Sequence, residues 1–227
     1  MIEPVSLPYA VTDQLLAAIF HGKIVGGDRL VETTLAKQFK VSRGPVREAL
    51  HSLAGLGLVD IRPNRGALVR PFGPEQLQQI YVVRSLLEMG AVRLACGKPA
   101  TTKWQGLHQT IGTLLEQNTD SPGWSKREIE SDERFHALIA AECGNPRLRD
   151  EINRYYTLVR AIRKALGHQK QMQVEAAQEH LAILDALLQG DADLAADIVE
   201  QHIQRSAKAA MASMFPTNPL PIKANTL

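Results

Sequence analysis

Residues 35–69 read LAKQFKVSRGPVREALHSLAGLGLVDIRPNRGALV, and their reading decides the fold. Leu35, Ala36 and Phe39 share one face of a short helix. Lys40-Val41-Ser42 forms a tight turn, and Ser42 is placed to cap a second helix by accepting a backbone N–H. That helix buries Val46, Ala49, Leu50 and Leu53 at spacings of three and four. Near its start, Arg43 and Arg47 lie four apart and therefore on one side. Gly55 and Gly57 end it. Leu58 to Ile61 forms a short strand, Pro63-Asn64-Arg65-Gly66 a turn, and Ala67 to Val69 the returning strand. A helix-turn-helix followed by a hairpin is a winged helix. Its arginines are placed to enter a major groove, and Arg65 at the wing tip reaches backbone or minor groove.

The run VSRGPVREALHSLAGLGLV resembles the N-terminal domain of GntR-type bacterial transcription regulators, whose usual pattern is close to V-S-R-T-P-V-R-E-A-L-x-x-L-x-x-x-G-L-V. Two departures stand out. Gly44 replaces the usual Thr or Ser, removing a hydroxyl often used on phosphate. Thr33 stands where many members carry an arginine that touches DNA. Gly26 to Leu30 resembles the family's G-x-x-L linker between the first two helices, with Arg29 offered to a phosphate or simply solvated. The resemblance implies a DNA face made of Arg29, Ser42, Arg43, Arg47, Arg65 and Gly66. The competing reading is a winged helix used for protein contacts.

Charge distribution supports a DNA-facing end. The whole chain carries a net charge of only +2, which excludes bulk polyanion binding. Residues 1–72 hold nine Lys/Arg against six Asp/Glu, and the remainder 17 against 18. A mildly basic module on a neutral body suits docking of one face on DNA. The two cysteines, Cys96 and Cys143, lack disulfide-framework or metal-motif spacing, which fits a reducing cytoplasm. No apolar run reaches membrane-spanning length, and no signal-peptide pattern is present.

Outward from the winged helix, residues 1–9 read as a loose arm. Thr12 is placed to cap a first helix that runs to about His21. Residues 10–71 form the DNA-binding domain, and the prolines and glycine of 70–74 mark its boundary. Residues 74–214 read as helices near 74–97, 102–118, 125–142, 146–166, 174–189 and 192–214. Thr102 to Gln105 and Ser125 to Glu128 have capping-box spacing. The expected architecture is mostly α: a winged helix-turn-helix, an all-α bundle of about six helices, and a tail from 215 to 227.

The bundle carries a second constellation. Asp132 and His136 are four apart on one helix, and His180 and His202 lie on two others. One carboxylate and three imidazoles can converge on a divalent transition metal such as Zn²⁺ or Ni²⁺. Spacing equally allows solvated or semi-buried side chains. Here the chain resembles the FadR subfamily and its metal-binding ligand domain, called FCD. Asp132, Phe135 and His136 match its D-x-x-F-H; Glu179, His180 and Ile183 match its E-H-x-x-I/L; His202 matches its last histidine. The resemblance implies a metal site with open positions for water or a small carboxylic acid effector. Arg84, in the family's R-x-x-L/I-E segment, is implied to pair with that acid, its fork matching two oxygens. The alternative is a helix pair between Arg84 and Glu88. Together these features imply a non-enzymatic homodimeric regulator, most often a repressor, on an inverted-repeat operator. The alternatives are a metal-ion sensor and a metalloenzyme.

Overall fold

A computed structural model describes residues 6–63, 65–97, 101–167 and 169–216. The first helix, α1, spans Leu7–Phe20 and starts earlier than expected. Ser6 caps it, accepting the Tyr9 N–H, and Pro8 sits in the first turn, where its missing donor is harmless. The arm reading therefore fails for residues 7–9, and residues 1–5 lie outside the described residues. Thr12 is not a cap: its hydroxyl donates to the Pro8 carbonyl from within the helix.

The next two helices are α2, Glu32–Phe39, and α3, Arg43–Gly55. Lys40 adopts the left-handed conformation (φ 55°) and ends α2. Ser42 occupies the N-cap of α3, but its side chain makes no capping bond there. α1 packs across α3, burying Leu15 and Leu16 with Val46, Leu50 and Leu53. The wing is β2, Val59–Arg62, paired antiparallel to β3, Gly66–Val69. Asn64 of its turn lies outside the described residues. A third strand, β1 (Arg29–Leu30), pairs with β3 where a linker was expected. Gly66 follows from this: a Cβ there would lie 2.1 Å from the Leu30 carbonyl oxygen, and φ is +80°. Its lack of a side chain serves β1, whatever else it serves.

The remaining helices form the bundle: α4 Pro74–Ala95, α5 Thr101–Glu116, α6 Trp124–Glu142, α7 Pro146–Leu166, α8 Lys170–Gln189 and α9 Ala192–Met214. Asn145 caps α7, and Asp191 caps α9 directly after Gly190 ends α8 in the left-handed conformation. The two expected capping boxes do not form. Thr102 already lies inside α5, and Ser125 inside α6. Ser125 and Glu128 instead bond Gln173 and so tie α6 to α8. α4 packs along α9, α6 and α7, while α8 packs on α5, α6 and α9. The two domains meet where α1 lies against α7. Phe72, just past the wing, sits edge-on to Phe20 of α1 at 5.0 Å. Among the described residues, no helix is long and apolar enough to cross a membrane.

Candidate functional site

The bundle core is not purely apolar. Arg84, Glu88, Asp132, His136, His180 and His202 are all buried in it. The four candidate ligands come from three helices, α6, α8 and α9, and the structure brings them together. The ligand atoms of His136, His180 and His202 all lie within 4.8 Å of one another. Asp132 Oδ1 lies 3.7 Å from His136 Nε2 and 3.8 Å from His180 Nε2. Metal–ligand bonds of about 2.0–2.2 Å place neighbouring ligand atoms about 3–4 Å apart, so the Asp132 separations suit one shared ion and the widest histidine separation would shorten on binding. Among the described residues, Asp132 Oδ1, His180 Nε2 and His202 Nε2 are buried with no hydrogen-bond partner. Unpaired buried polar atoms are costly, and three clustered ones point to a guest that completes them. The donor set, three imidazoles and a carboxylate, fits a divalent transition metal.

Neighbouring side chains hold the ligands in ligating form. His136 Nδ1 is 2.8 Å from Glu88 Oε2, and His202 Nδ1 is 2.7 Å from Glu179 Oε2. Each Nδ1–H donates to its carboxylate; for His202 this leaves Nε2 with its lone pair toward the site, while His136 Nε2 faces Asp132 and Arg84 Nη2 and would give up its proton to a metal. Phe135 stacks on His180 with ring centroids 3.9 Å apart. Tyr156 and Arg163 of α7 donate to Asp132 Oδ2 at 2.6 and 2.5 Å, fixing the carboxylate with Oδ1 left over.

The charge states follow. Burial and the adjacent His202 push His180 well below the ordinary histidine value; burial and Arg84 do the same to His202. Both are therefore neutral and able to ligate. Burial also opposes the imidazolium of His136, but Glu88 and Asp132 outweigh it and raise its pKa. Burial works against the Asp132 carboxylate, yet Arg163 and the histidines hold its pKa well below the usual range.

Arg84 is paired with Glu88 and keeps one guanidinium nitrogen, Nη1, buried without a hydrogen-bond partner among the described residues. Its Nε donates to Glu88 Oε1 at 2.6 Å, and Nη2 lies 3.3 Å from His136 Nε2. The helix pair allowed by spacing does form, but it is 1% and 4% exposed, not a solvated surface pair. A cavity of about 380 Å³ adjoins the site, reaching Asp132 at its inner end. Its cationic lining comes from Arg160, Arg163, Lys164 and Arg205, and Arg84 is not part of that wall. Glu88, Glu179, Tyr156 and Arg163 were not recognised as supports from sequence. The one available signal was that Tyr156 and Arg163, seven apart, share a helix face.

At the other end of the chain, Arg29, Ser42, Arg43, Arg47 and Arg65 are exposed, and Gly66 is half-buried. Glu32 of α2 gathers two of them. It accepts from Arg47 Nε and Nη2 at 3.1 and 3.0 Å and from Arg43 Nη2 at 3.1 Å. The two candidate DNA-contacting arginines are thereby held side by side.

Comparison with known proteins agrees with both halves. Residues 9–69 match the family model described as bacterial regulatory proteins, gntR family, and residues 79–205 match the FCD domain. The Nta operon transcriptional regulator of Aminobacter aminovorans is 31% identical over 179 residues, covering 79% of this chain and 82% of that protein. The galactonate operon transcriptional repressor of Escherichia coli K12 is 27% identical over 199 residues, covering 78% and 85%. The solved structure of E. coli McbR/YncC shares the fold, with a TM-score of 0.63 at 24% identity over 91% of this chain and 98% of that one. The chain belongs to the GntR family of bacterial transcription regulators, with a gntR-type winged helix followed by an FCD domain.

Proposed function

We propose that this regulator is a cytoplasmic homodimeric repressor whose operator affinity is set by a small carboxylic acid bound at a metal site in the FCD domain. One observation carries the reading. Three buried, unpartnered ligand atoms converge beside a cavity lined with arginines. A divalent ion, Zn²⁺ or Ni²⁺, held by Asp132, His136, His180 and His202, supplies a Lewis-acidic centre for a carboxylate oxygen. The chain's own residues do the rest. Glu88 and Glu179 hold two imidazoles in the ligating tautomer. Arg163 and Tyr156 hold Asp132 with one oxygen free. The wall mixes four cations, Arg160, Arg163, Lys164 and Arg205, with the carboxylates of Asp13, Glu128, Asp132, Glu133 and Glu175, and it is the cations that would take an anionic guest. Arg84 acts from behind, keeping Glu88 ionised and positioned.

On DNA, Arg43 and Arg47 contact base edges or phosphates in the major groove, and Arg29 and Arg65 contact the backbone. Two copies related by a two-fold axis need an inverted-repeat operator. The acid acts by binding one arrangement of the two DNA-binding heads more tightly than the other, with coupling of about 1–3 kcal/mol.

The test is a thermal-shift screen of purified protein against small carboxylic acids, with and without chelator, followed by operator binding. An acid at about 100 times its dissociation constant adds roughly 2.7 kcal/mol. The expected result is stabilisation that needs the metal, vanishes in His180→Ala, and changes operator affinity. Metal alone shifting operator affinity, with no acid adding to it, would replace this reading with a metal sensor. Turnover of an acid by the protein would replace it with a metalloenzyme.

A further inference from the structure

The cavity beside the candidate ligands has an outer end that the reading above leaves without a role. The DNA-binding domain contributes to that end. Tyr9 and Asp13 of α1, four apart and so on one helix face, form part of its wall. Facing them, α7 offers Arg160 and Lys164, also four apart. Lys164 Nζ donates to Asp13 Oδ2 at 2.7 Å, and the Arg160 guanidinium lies 5.0 Å from the Tyr9 ring centroid.

Three cations of α7 therefore run along the cavity, and they are not equally matched. Arg163, at the inner end, is bonded to Asp132. Among the described residues, the one carboxylate paired with Arg160 is Glu133 at 3.7 Å, beyond hydrogen-bond length. Burial lowers the pKa of Arg160, the mark of a guanidinium whose partners do not replace the water it has lost. Lys164 is 60% exposed on Asp13, a pairing of the weak, solvent-screened kind. An anion arriving from the cavity can take both cations at little cost to the fold.

We propose that Arg160 and Lys164 form a second anion subsite, which takes the distal anionic group of a two-headed acid such as an α,ω-dicarboxylate. Occupying this subsite displaces Asp13 and Tyr9 and so loosens α1 from α7. The inference rests on the acid-receptor reading, in which the metal end takes the first carboxylate. The cavity volume of about 380 Å³ is in the range of small-ligand sites. The displaced helix is also the one that matters for DNA. α1 buries its apolar face against α3, so movement of α1 carries the recognition arginines with it.

The experiment uses the full-length, Zn²⁺-loaded protein and acids matched in chain length: butanoate with butanedioate, hexanoate with hexanedioate, octanoate with octanedioate. Calorimetry reads acid binding, and fluorescence anisotropy reads binding to operator DNA. At one chain length the diacid should bind about tenfold more tightly than its partner, the gain expected of one charge-assisted contact pair. Lys164→Met should remove that advantage and leave the monoacid unchanged. Asp13→Asn, with no acid present, should shift operator affinity in the same direction as the diacid does. Equal binding of mono- and diacids, or an advantage that survives Lys164→Met, overturns the second subsite and leaves the acid receptor standing. A diacid preference without any shift of operator affinity in Asp13→Asn overturns the displacement of α1. Failure of every acid to bind the metal-loaded protein sinks the acid-receptor reading and this inference with it.

Discussion

Glu88→Gln removes no candidate ligand, yet it should disable the metal site. Glu88 serves two donors at once: Oε1 accepts from Arg84 Nε at 2.6 Å and Oε2 from His136 Nδ1 at 2.8 Å. An amide of the same shape has one acceptor. The buried guanidinium of Arg84, otherwise left without a counter-ion, holds that acceptor. The amide NH₂ then faces Nδ1, which must accept, so the imidazole proton moves to Nε2, the atom that faces the site. Metal affinity should fall by about 100-fold, the upper end for loss of a supporting carboxylate. Independently, an uncompensated buried arginine costs about 3 kcal/mol, the lower end for breaking a buried pair, because one hydrogen bond survives. For a chain of this size that lowers the melting temperature by about 6–12 °C. Chelator-competition titration measures the first effect and urea unfolding of metal-free protein the second. The decisive arm is the double variant Arg84→Met, Glu88→Gln. With the guanidinium gone, the single amide acceptor is free for Nδ1–H, so both metal affinity and stability should recover. A double variant that binds metal no better than Glu88→Gln would refute the tautomer argument.

Two further outcomes follow from the same charges. The metal-free protein should be most stable near pH 6.5. His180 and His202 have depressed pKa values and stay neutral when folded, but take up protons when unfolded below 6.5. Glu128, whose pKa burial pushes up to about 8, works against them by keeping a proton only in the folded state, so the unfolded state binds a net one more proton and stability drops by about 1.4 kcal/mol per pH unit as pH falls. The raised pKa of His136 works in the other direction above 6.5, where the folded state alone keeps its proton and stability declines as pH rises. Urea unfolding with chelator from pH 5 to 8 checks this, and a flat profile would contradict it. At the DNA face, Glu32→Gln should release Arg43 and Arg47 and remove an anion from beside the phosphates. Affinity for non-operator DNA should rise several-fold while the ratio of operator to non-operator binding falls, read by anisotropy at two salt concentrations. An unchanged ratio would show that Glu32 does not position the arginines.

What the sequence revealed of this chain depended on how local each feature is. The helices from 35 to 55 and the wing were legible because periodicity and turn chemistry act over a few residues. β1 was not, since two residues have no period; only their pairing with Leu68 and Ala67 makes them a strand. The Ser125–Glu128 spacing misled for a related reason. A capping box and a tie to Gln173 on α8 use the same two polar groups, and tertiary contact decided between them. Among the candidate site residues, Asp132, His136, His180 and His202 were singled out by the family pattern, because type and spacing alone equally allowed solvated or semi-buried side chains. Their supports were not, because Glu88 meets His136 across 48 residues of sequence, and Arg163 meets Asp132 across 31. Arg84 shows the same limit. Its spacing to Glu88 permitted a weak surface pair, and burial changed what that pair is for.

The energetics of this core argue for a coupled device and against a merely decorated one. A bundle of this size could bury leucines where it buries Arg84, Glu88, Asp132, His136, His180 and His202, and would gain stability by doing so. In the free protein three of those side chains keep a buried atom unpartnered in the site, and Arg84 Nη1 is unpartnered too. Any guest that satisfies them binds the folded state alone, so its binding energy appears as folding stability of the domain. That stability is distributed by the network's connections. Arg84 and Glu88 lie on α4, which follows the wing after four residues, 70–73. Arg163 lies on α7, the helix that meets α1. The site is therefore joined to the DNA-binding domain both by the chain out of β3 and by the packing of α1. On the proposed reading, these two connections are the routes by which a change in how the four candidate ligands are satisfied would reach α3.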